Sequence, residues 1–187
     1  MLTIRKILIG IVVILLLFVS VLIYNHKQKP TAHDVFKLTE NWSPGTEEVY
    51  LVREIDGEWL TIFRNQHSVM IGELKQNRFG LWQILDAKGA KSTLASTNYP
   101  TDEDTEITWS VSGSNEKETV FYFGQLINPE IQKITAETSE NPAEDLPIIT
   151  SNGIRFFFKK VHGEFLLPVN IRGFSNSGEL RYSTLPE

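Results

Sequence analysis

Asp102, Asp104 and Glu106 stand at i, i+2 and i+4 in the run TDEDTE, the spacing with which a calcium loop offers its first carboxylate oxygens. Such a loop also needs a glycine at its sixth position for the sharp turn and a bidentate glutamate at its twelfth. Ile107 and Gly113 occupy those places here, so the run reads as a solvated acidic loop. Ser114 and Lys117 match S-x-x-K, the serine–lysine arrangement of penicillin-recognising enzymes. That chemistry needs a helix to bring the lysine one turn from the serine, whereas this stretch reads as a polar turn between two strands. His26, His33, His67 and His162 lie far apart in the chain and form no zinc-type cluster. A nucleophile elbow, a phosphate-cradling glycine loop and a dinucleotide fingerprint are all missing from the sequence. No residue is therefore assigned as catalytic, cofactor-binding or metal-ligating, and no cofactor is implied.

Weaker arrangements leave two alternatives open. Asp102, Asp104 or Glu116 with Trp42, Trp59, Trp82 and Trp109 around a cleft would suit an envelope hydrolase or a carbohydrate-binding protein. A closed apolar cavity lined by Phe121, Phe123, Phe156 and Phe158 would suit a carrier of a small apolar ligand. Three of the tryptophans lie in apolar strands, where core packing is the default role.

The element that positions everything else is residues 7–24, ILIGIVVILLLFVSVLIY, an uncharged run between Arg5-Lys6 and Lys27, Lys29. Eighteen residues of α-helix rise about 27 Å, close to the hydrocarbon thickness of a bilayer. The run is too long for the apolar core of a cleaved signal peptide, and no A-x-A-like site follows it. A chain without cysteine has no lipoprotein processing site. A pseudopilin would need a glutamate early in its helix and an uninterrupted extension, but the first acid is Asp34 and Pro30 intervenes. The expectation is an uncleaved transmembrane signal anchor. It divides the chain into a short cytoplasmic tail (1–6), the anchor (7–24), a linker (25–32) and an extracytoplasmic β domain (33–187).

Flanking charges are nearly balanced across the anchor, so orientation rests on the soluble part. Setting aside Arg5 and Lys6 leaves 16 basic side chains against 23 acidic ones, a net charge of −7. A short tail inside with a large acidic domain outside is the expected topology, at the cell membrane in a single pass. The acidic balance and the lack of a basic stripe exclude nucleic acid as a partner. The absence of cysteine removes disulfides, thiolate metal sites and cysteine nucleophiles. A hydrophobic content of 41% and an aromatic content of 11% describe a folded domain.

Residues from Thr31 or His33 to Glu40 fit a short helix, and from Glu48 the pattern becomes one of strands. EVYLVRE and EWLTIFRN flank Asp56-Gly57, a hairpin signal because both turn positions favour φ > 0. HSVMIGELK and FGLWQILD continue the meander. Ile107, Trp109 and Val111 alternate with polar residues, and ETVFYFGQLI is apolar on both faces, as a central strand would be. IQKITAE, GIRFFFKK, FLLPVNIRGF and ELRYSTL complete about ten strands. In the third of these, Phe165, Leu167, Val169 and Ile171 would share one face, with Pro168 marking an edge strand or bulge. Asn98–Glu106 and Thr138–Pro147 read as long loops. The expected fold is all-β, an antiparallel sandwich or open barrel.

The segment Phe123-Gly124-Gln125-Leu126-Ile127-Asn128-Pro129-Glu130-Ile131-Gln132-Lys133-Ile134, the aromatic strand Arg155–Phe158 and the Gly178 hairpin resemble uncharacterised single-pass membrane proteins of Firmicutes, Bacillus-like species especially, with a small β-rich extracytoplasmic domain. The resemblance covers the last two-fifths of the chain, implies location and architecture, and transfers no catalytic residue. Together these readings favour a non-enzymatic, membrane-tethered module whose partner is an envelope protein or the cell wall.

Overall fold

The apolar run continues as helix beyond its charged borders, and α1 spans Leu2–Lys27. The computed structural model describes residues 2–114, 118–139, 142–164 and 166–185. Residues 28–31 alone separate α1 from α2, Ala32–Leu38. Thr31 starts α2 through a capping box. Its hydroxyl accepts from the Asp34 amide at 3.3 Å, and the Asp34 carboxylate accepts from the Thr31 amide at 2.8 Å.

Thirteen strands follow among the described residues. They are β1 (Glu48–Ile55), β2 (Glu58–Arg64), β3 (Ser68–Gln76), β4 (Trp82–Leu85), β5 (Ala95–Asn98), β6 (Ile107–Ser114), β7 (Thr119–Leu126), β8 (Lys133–Thr138), β9 (Glu144–Leu146), β10 (Ile148–Ser151), β11 (Ile154–His162), β12 (Val169–Phe174) and β13 (Leu180–Ser183). They form three antiparallel sheets: A (β1-β2-β3-β4, with β5 also on β3), B (β10-β11-β7-β6) and C (β13-β12-β8-β9). None of the sheets closes on itself among the described residues, which sets aside the barrel and leaves a stack of sheets.

Sheet B lies in the middle of the stack. Phe121, Phe123, Phe156 and Phe158 point from it into one core with Leu60, Ile62, Val69 and Ile71 of sheet A. Tyr122, Phe157, Val120 and Ile107 point the other way, into a second core with Ile134, Ala136, Val169 and Ile171 of sheet C. Period-2 alternation thus buries both faces of β7, as its uniformly apolar sequence requires. Each fully buried phenylalanine contributes about 1.5–3 kcal/mol of hydrophobic stabilisation. The rings pair within the first core, Phe121 with Phe158 at 6.2 Å and Phe123 with Phe156 at 6.5 Å between centroids.

Polar contacts fasten the margins of the A/B pair. The Ser151 hydroxyl donates to Tyr50 O at 2.5 Å on one side, and the Ser112 hydroxyl donates to Leu94 O at 2.6 Å on the other. The outer face of sheet A carries a third core, in which Val35 of α2 packs with Phe63, Met70, Leu74 and Ile84.

All ten expected strands are present, and three more join them. β5 is polar and short, β9 lies inside the expected Thr138–Pro147 loop, and β10 is an edge strand. The expectation for FLLPVNIRGF is corrected. β12 is an interior strand between β8 and β13, and Pro168 precedes it, where a missing amide breaks no ladder. Leu167 is 66% exposed whereas Val169 and Ile171 are buried, and Phe165 lies outside the described residues.

Candidate functional site

Two places in the fold stand out by their geometry. The first is the junction where α1 meets the β3–β4 turn. Tight turns need residues that satisfy their own backbone, and Asn77 does so here: its side-chain oxygen accepts from the Phe79 amide at 2.8 Å and the Leu81 amide at 3.1 Å. Gly80, at φ +73, completes the turn. The turn seats directly on the helix terminus. The Asn25 amide group donates to Phe79 O at 3.2 Å, and the Gln76 amide group donates to Asn25 O at 3.0 Å and Gly80 O at 3.2 Å. A Cβ built on Gly80 would stand 2.8 Å from the His26 backbone nitrogen, so only glycine allows this approach.

Aromatic side chains back the junction. Trp59 and Trp82 meet edge to face at 6.2 Å, and the Lys29 ammonium lies 6.0 Å from the Trp59 ring centroid. A groove of about 200 Å³ lined by Leu38, Trp42, Leu81 and Trp82 opens beside them. Phe79 and Leu81 are 41% and 55% exposed. Arg78 lies over the Phe79 ring, its guanidinium carbon 4.9 Å from the centroid.

Above this junction the helix itself is bare. From Ile4 to Ile23 its large apolar side chains are exposed, from 47% at Val19 to 66% at Ile14, except Leu22, which is half-buried, and none of the apolar span is fully buried by the rest of the chain. A helix apolar on every face and packed against nothing is stable only in an apolar surrounding.

The second place is the outer face of sheet C. Sheet A is covered by α2 and sheet B by both neighbours, so this is the sheet face left open to solvent among the described residues. Cross-strand register lines up Ser183, Arg172, Thr135 and Asp145 in one polar row across all four strands. Arg172 pairs with Glu137 at 3.2 Å and Lys133 with Asp145 at 2.9 Å. A groove of about 560 Å³ runs over this row, bounded by Phe174 and the Ser175–Gly178 turn. The Thr135 hydroxyl and the Arg172 Nε, both buried, have no hydrogen-bond partner among the described residues.

Asp102 and Asp104 are exposed on the loop after β5, and Glu106 accepts from the Asn128 side chain at 3.4 Å. Among the described residues no group of three or more histidine, aspartate or glutamate side chains could hold a metal ion. Glu116, Lys117 and their turn lie outside the described residues, and so does any test of the S-x-x-K spacing. The four tryptophans are half-buried. Trp42, Trp59 and Trp82 pack on the outer core of sheet A and Trp109 on the B/C core.

The densest ionic cluster serves packing. Arg64 bonds Glu47 and Glu48 and lies 4.6 Å from the Tyr99 ring centroid. Burial pushes the neighbouring Tyr50 phenol up to about 12, and Glu48 adds to the effect. Burial also raises Tyr122 and Tyr182.

Sequence reasoning missed the junction because Asn25 and Phe79 are 54 positions apart, the one in the expected linker and the other at the start of the expected strand FGLWQILD. Comparison with protein-family models, curated proteins and solved structures finds no match to this chain.

Proposed function

We propose that the chain is a membrane-tethered binding module, with α1 crossing the membrane N-terminus inside and the three-sheet domain held outside against the bilayer. The observation that carries this reading is the contrast within α1. Its apolar length is unpacked on all sides, while its last turn is hydrogen-bonded to the domain. A core helix would be covered by its own protein, and a cleaved leader would gain nothing from contacts with the mature fold.

The open face of sheet C is the partner surface in this reading. A row of charged and hydroxyl groups with two unsatisfied buried polar atoms suits a polar protein segment or a wall polymer better than an apolar ligand. The first core, by contrast, is occupied by its own paired phenylalanine rings.

Crosslinking from the sheet C face in native membranes, with photoreactive residues at Lys133 and Asn176, tests the binding claim. Recovery of one reproducible partner is expected, and its loss with Arg172→Glu would locate it. No reproducible adduct would remove the binding reading. A topology reporter fused after Glu187 is expected to be active only outside the cytoplasm, and cytoplasmic activity would overturn the orientation.

A further inference from the structure

We infer that the β3–β4 turn is a second membrane-contacting element, seating Phe79 and Leu81 in the interfacial layer of the bilayer with Arg78 at the phospholipid phosphates. The inference rests on α1 being a membrane span, and geometry then supplies the rest. The apolar run ends at Tyr24, and one further residue adds about 1.5 Å along the helix axis. Asn25 is hydrogen-bonded to Phe79 O at 3.2 Å, so the turn backbone lies within a few ångströms of the level at which the helix leaves the hydrocarbon. Residues at that level cannot be in bulk water if α1 spans.

The composition of the turn suits that place. Outside α1, Phe79 and Leu81 are among the few large apolar side chains left exposed. An aromatic ring and an aliphatic side chain, both solvent-facing, gain free energy on entering the boundary between headgroups and acyl chains. Cations surround them: Lys27 and Lys29 on the helix side, Arg78 at the turn and Lys75 on β3. Lys75 is held by Glu73 at 2.6 Å, but Lys27 and Arg78 make no ion pair with an acid among the described residues. This basic rim belongs to a domain of net acidic charge, which sets the domain's body away from anionic lipid and its rim toward it. The neighbouring β1–β2 turn carries Asp56, but register sets it back. Trp59 pairs with Leu74, which puts the Asp56-Gly57 turn level with Gln76 and leaves the tip of the β3–β4 turn, around Arg78-Phe79-Gly80, projecting past it.

The absence of native cysteine makes the test clean. Single variants Phe79→Cys, Leu81→Cys and Gln66→Cys in the full chain are labelled with an environment-sensitive fluorophore and placed in phosphatidylcholine–phosphatidylglycerol nanodiscs. Gln66 sits at the far end of β3, about 30 Å away for nine residues of strand. The expected result is blue-shifted emission at 79 and 81 that is quenched by nitroxides in the headgroup region, with neither effect at 66. Emission at 79 and 81 matching that at 66, in chains retained by the bilayer through a high-salt wash, would overturn the inference and leave the tether standing. Chains that fail to stay in the bilayer at all would overturn the tether and the inference together.

Discussion

Gly124→Ala is the sharpest test of the stacked-sheet interior. Gly124 lies at the centre of β7, in register with Trp109 of β6 on one side and Phe157 of β11 on the other. A Cβ there would stand 2.3 Å from Thr108 O and 2.4 Å from Phe157 Cζ. The first neighbour is backbone within a ladder and the second is a ring with 0% exposure, so neither can yield cheaply. Overpacking of this kind costs about 1–3 kcal/mol, and two simultaneous clashes place it near the upper end. Removing a glycine from the unfolded chain returns about 0.4–1 kcal/mol, which leaves a net loss of roughly 2–2.6 kcal/mol. For a chain of this size that is a fall in melting temperature of roughly 4–10 °C.

The assay is thermal unfolding of the full chain in detergent micelles, followed by near-ultraviolet circular dichroism. Gly72→Ala is the comparator, because its Cβ has one close contact, the Ile84 Cγ2 methyl at 2.7 Å, and no backbone atom among its three nearest neighbours, so it should cost less. Phe157→Leu in the Gly124→Ala background should restore only part of the loss, since the Thr108 carbonyl remains. A Gly124→Ala chain that melts with the parent, or full rescue by Phe157→Leu, would refute the packing described for sheet B.

Other outcomes follow from the same structure. Gly80→Ala should break the helix junction while leaving the sheets intact, so trypsin cleavage after Lys27 rises with little change in the main melting transition. Gln76→Ala should act in the same direction more weakly, by about 0.5–1.5 kcal/mol per hydrogen bond lost. The raised phenols of Tyr50, Tyr122 and Tyr182 ionise more readily in the unfolded chain than in the fold. Their stabilising effect is whole below about pH 10 and is lost as pH rises toward the Tyr50 value of about 12. Denaturant titrations from pH 9 to 12 should show this fall, and Tyr50→Phe should flatten it. Arg172→Ala should change stability by less than about 1 kcal/mol, as its pair with Glu137 is partly exposed, while weakening whatever binds sheet C.

Much of the fold is legible from local pattern. Asp56-Gly57 forms the expected turn, with φ values of +52 and +81, because that dipeptide tolerates the left-handed region. β7 is central and buried on both faces, as a strand without polar alternation must be. The misses have physical reasons too. Ala95-Ser96-Thr97-Asn98 carries almost no hydrophobic signal, yet it pairs with β3 through main-chain bonds and buries Ala95 and Thr97 alternately. Pro168 was assigned to a strand because apolar residues surround it, whereas the ladder begins one residue later. The layer order A–B–C and the seating of the β3–β4 turn on α1 depend on contacts between distant segments, for which local periodicity has no signature.

The chain does not complete its sheets in the order in which it is made. Sheet A is finished by Asn98, but only Phe121 and Phe123 of β7 reach its inner face soon after, and the Phe156 and Phe158 rings that complete the cover arrive some sixty residues later. Between them comes the β8–β9 hairpin of sheet C, which has only Ile107, Val120, Tyr122 and Leu126 of β6 and β7 to lie on until Phe157 of β11 is in place. During synthesis Leu60, Ile62, Val69 and Ile71 are therefore covered only in part, and a nascent chain stalled before residue 154 leaves some of the apolar face of a finished sheet exposed. Such a chain is the form most in need of a chaperone.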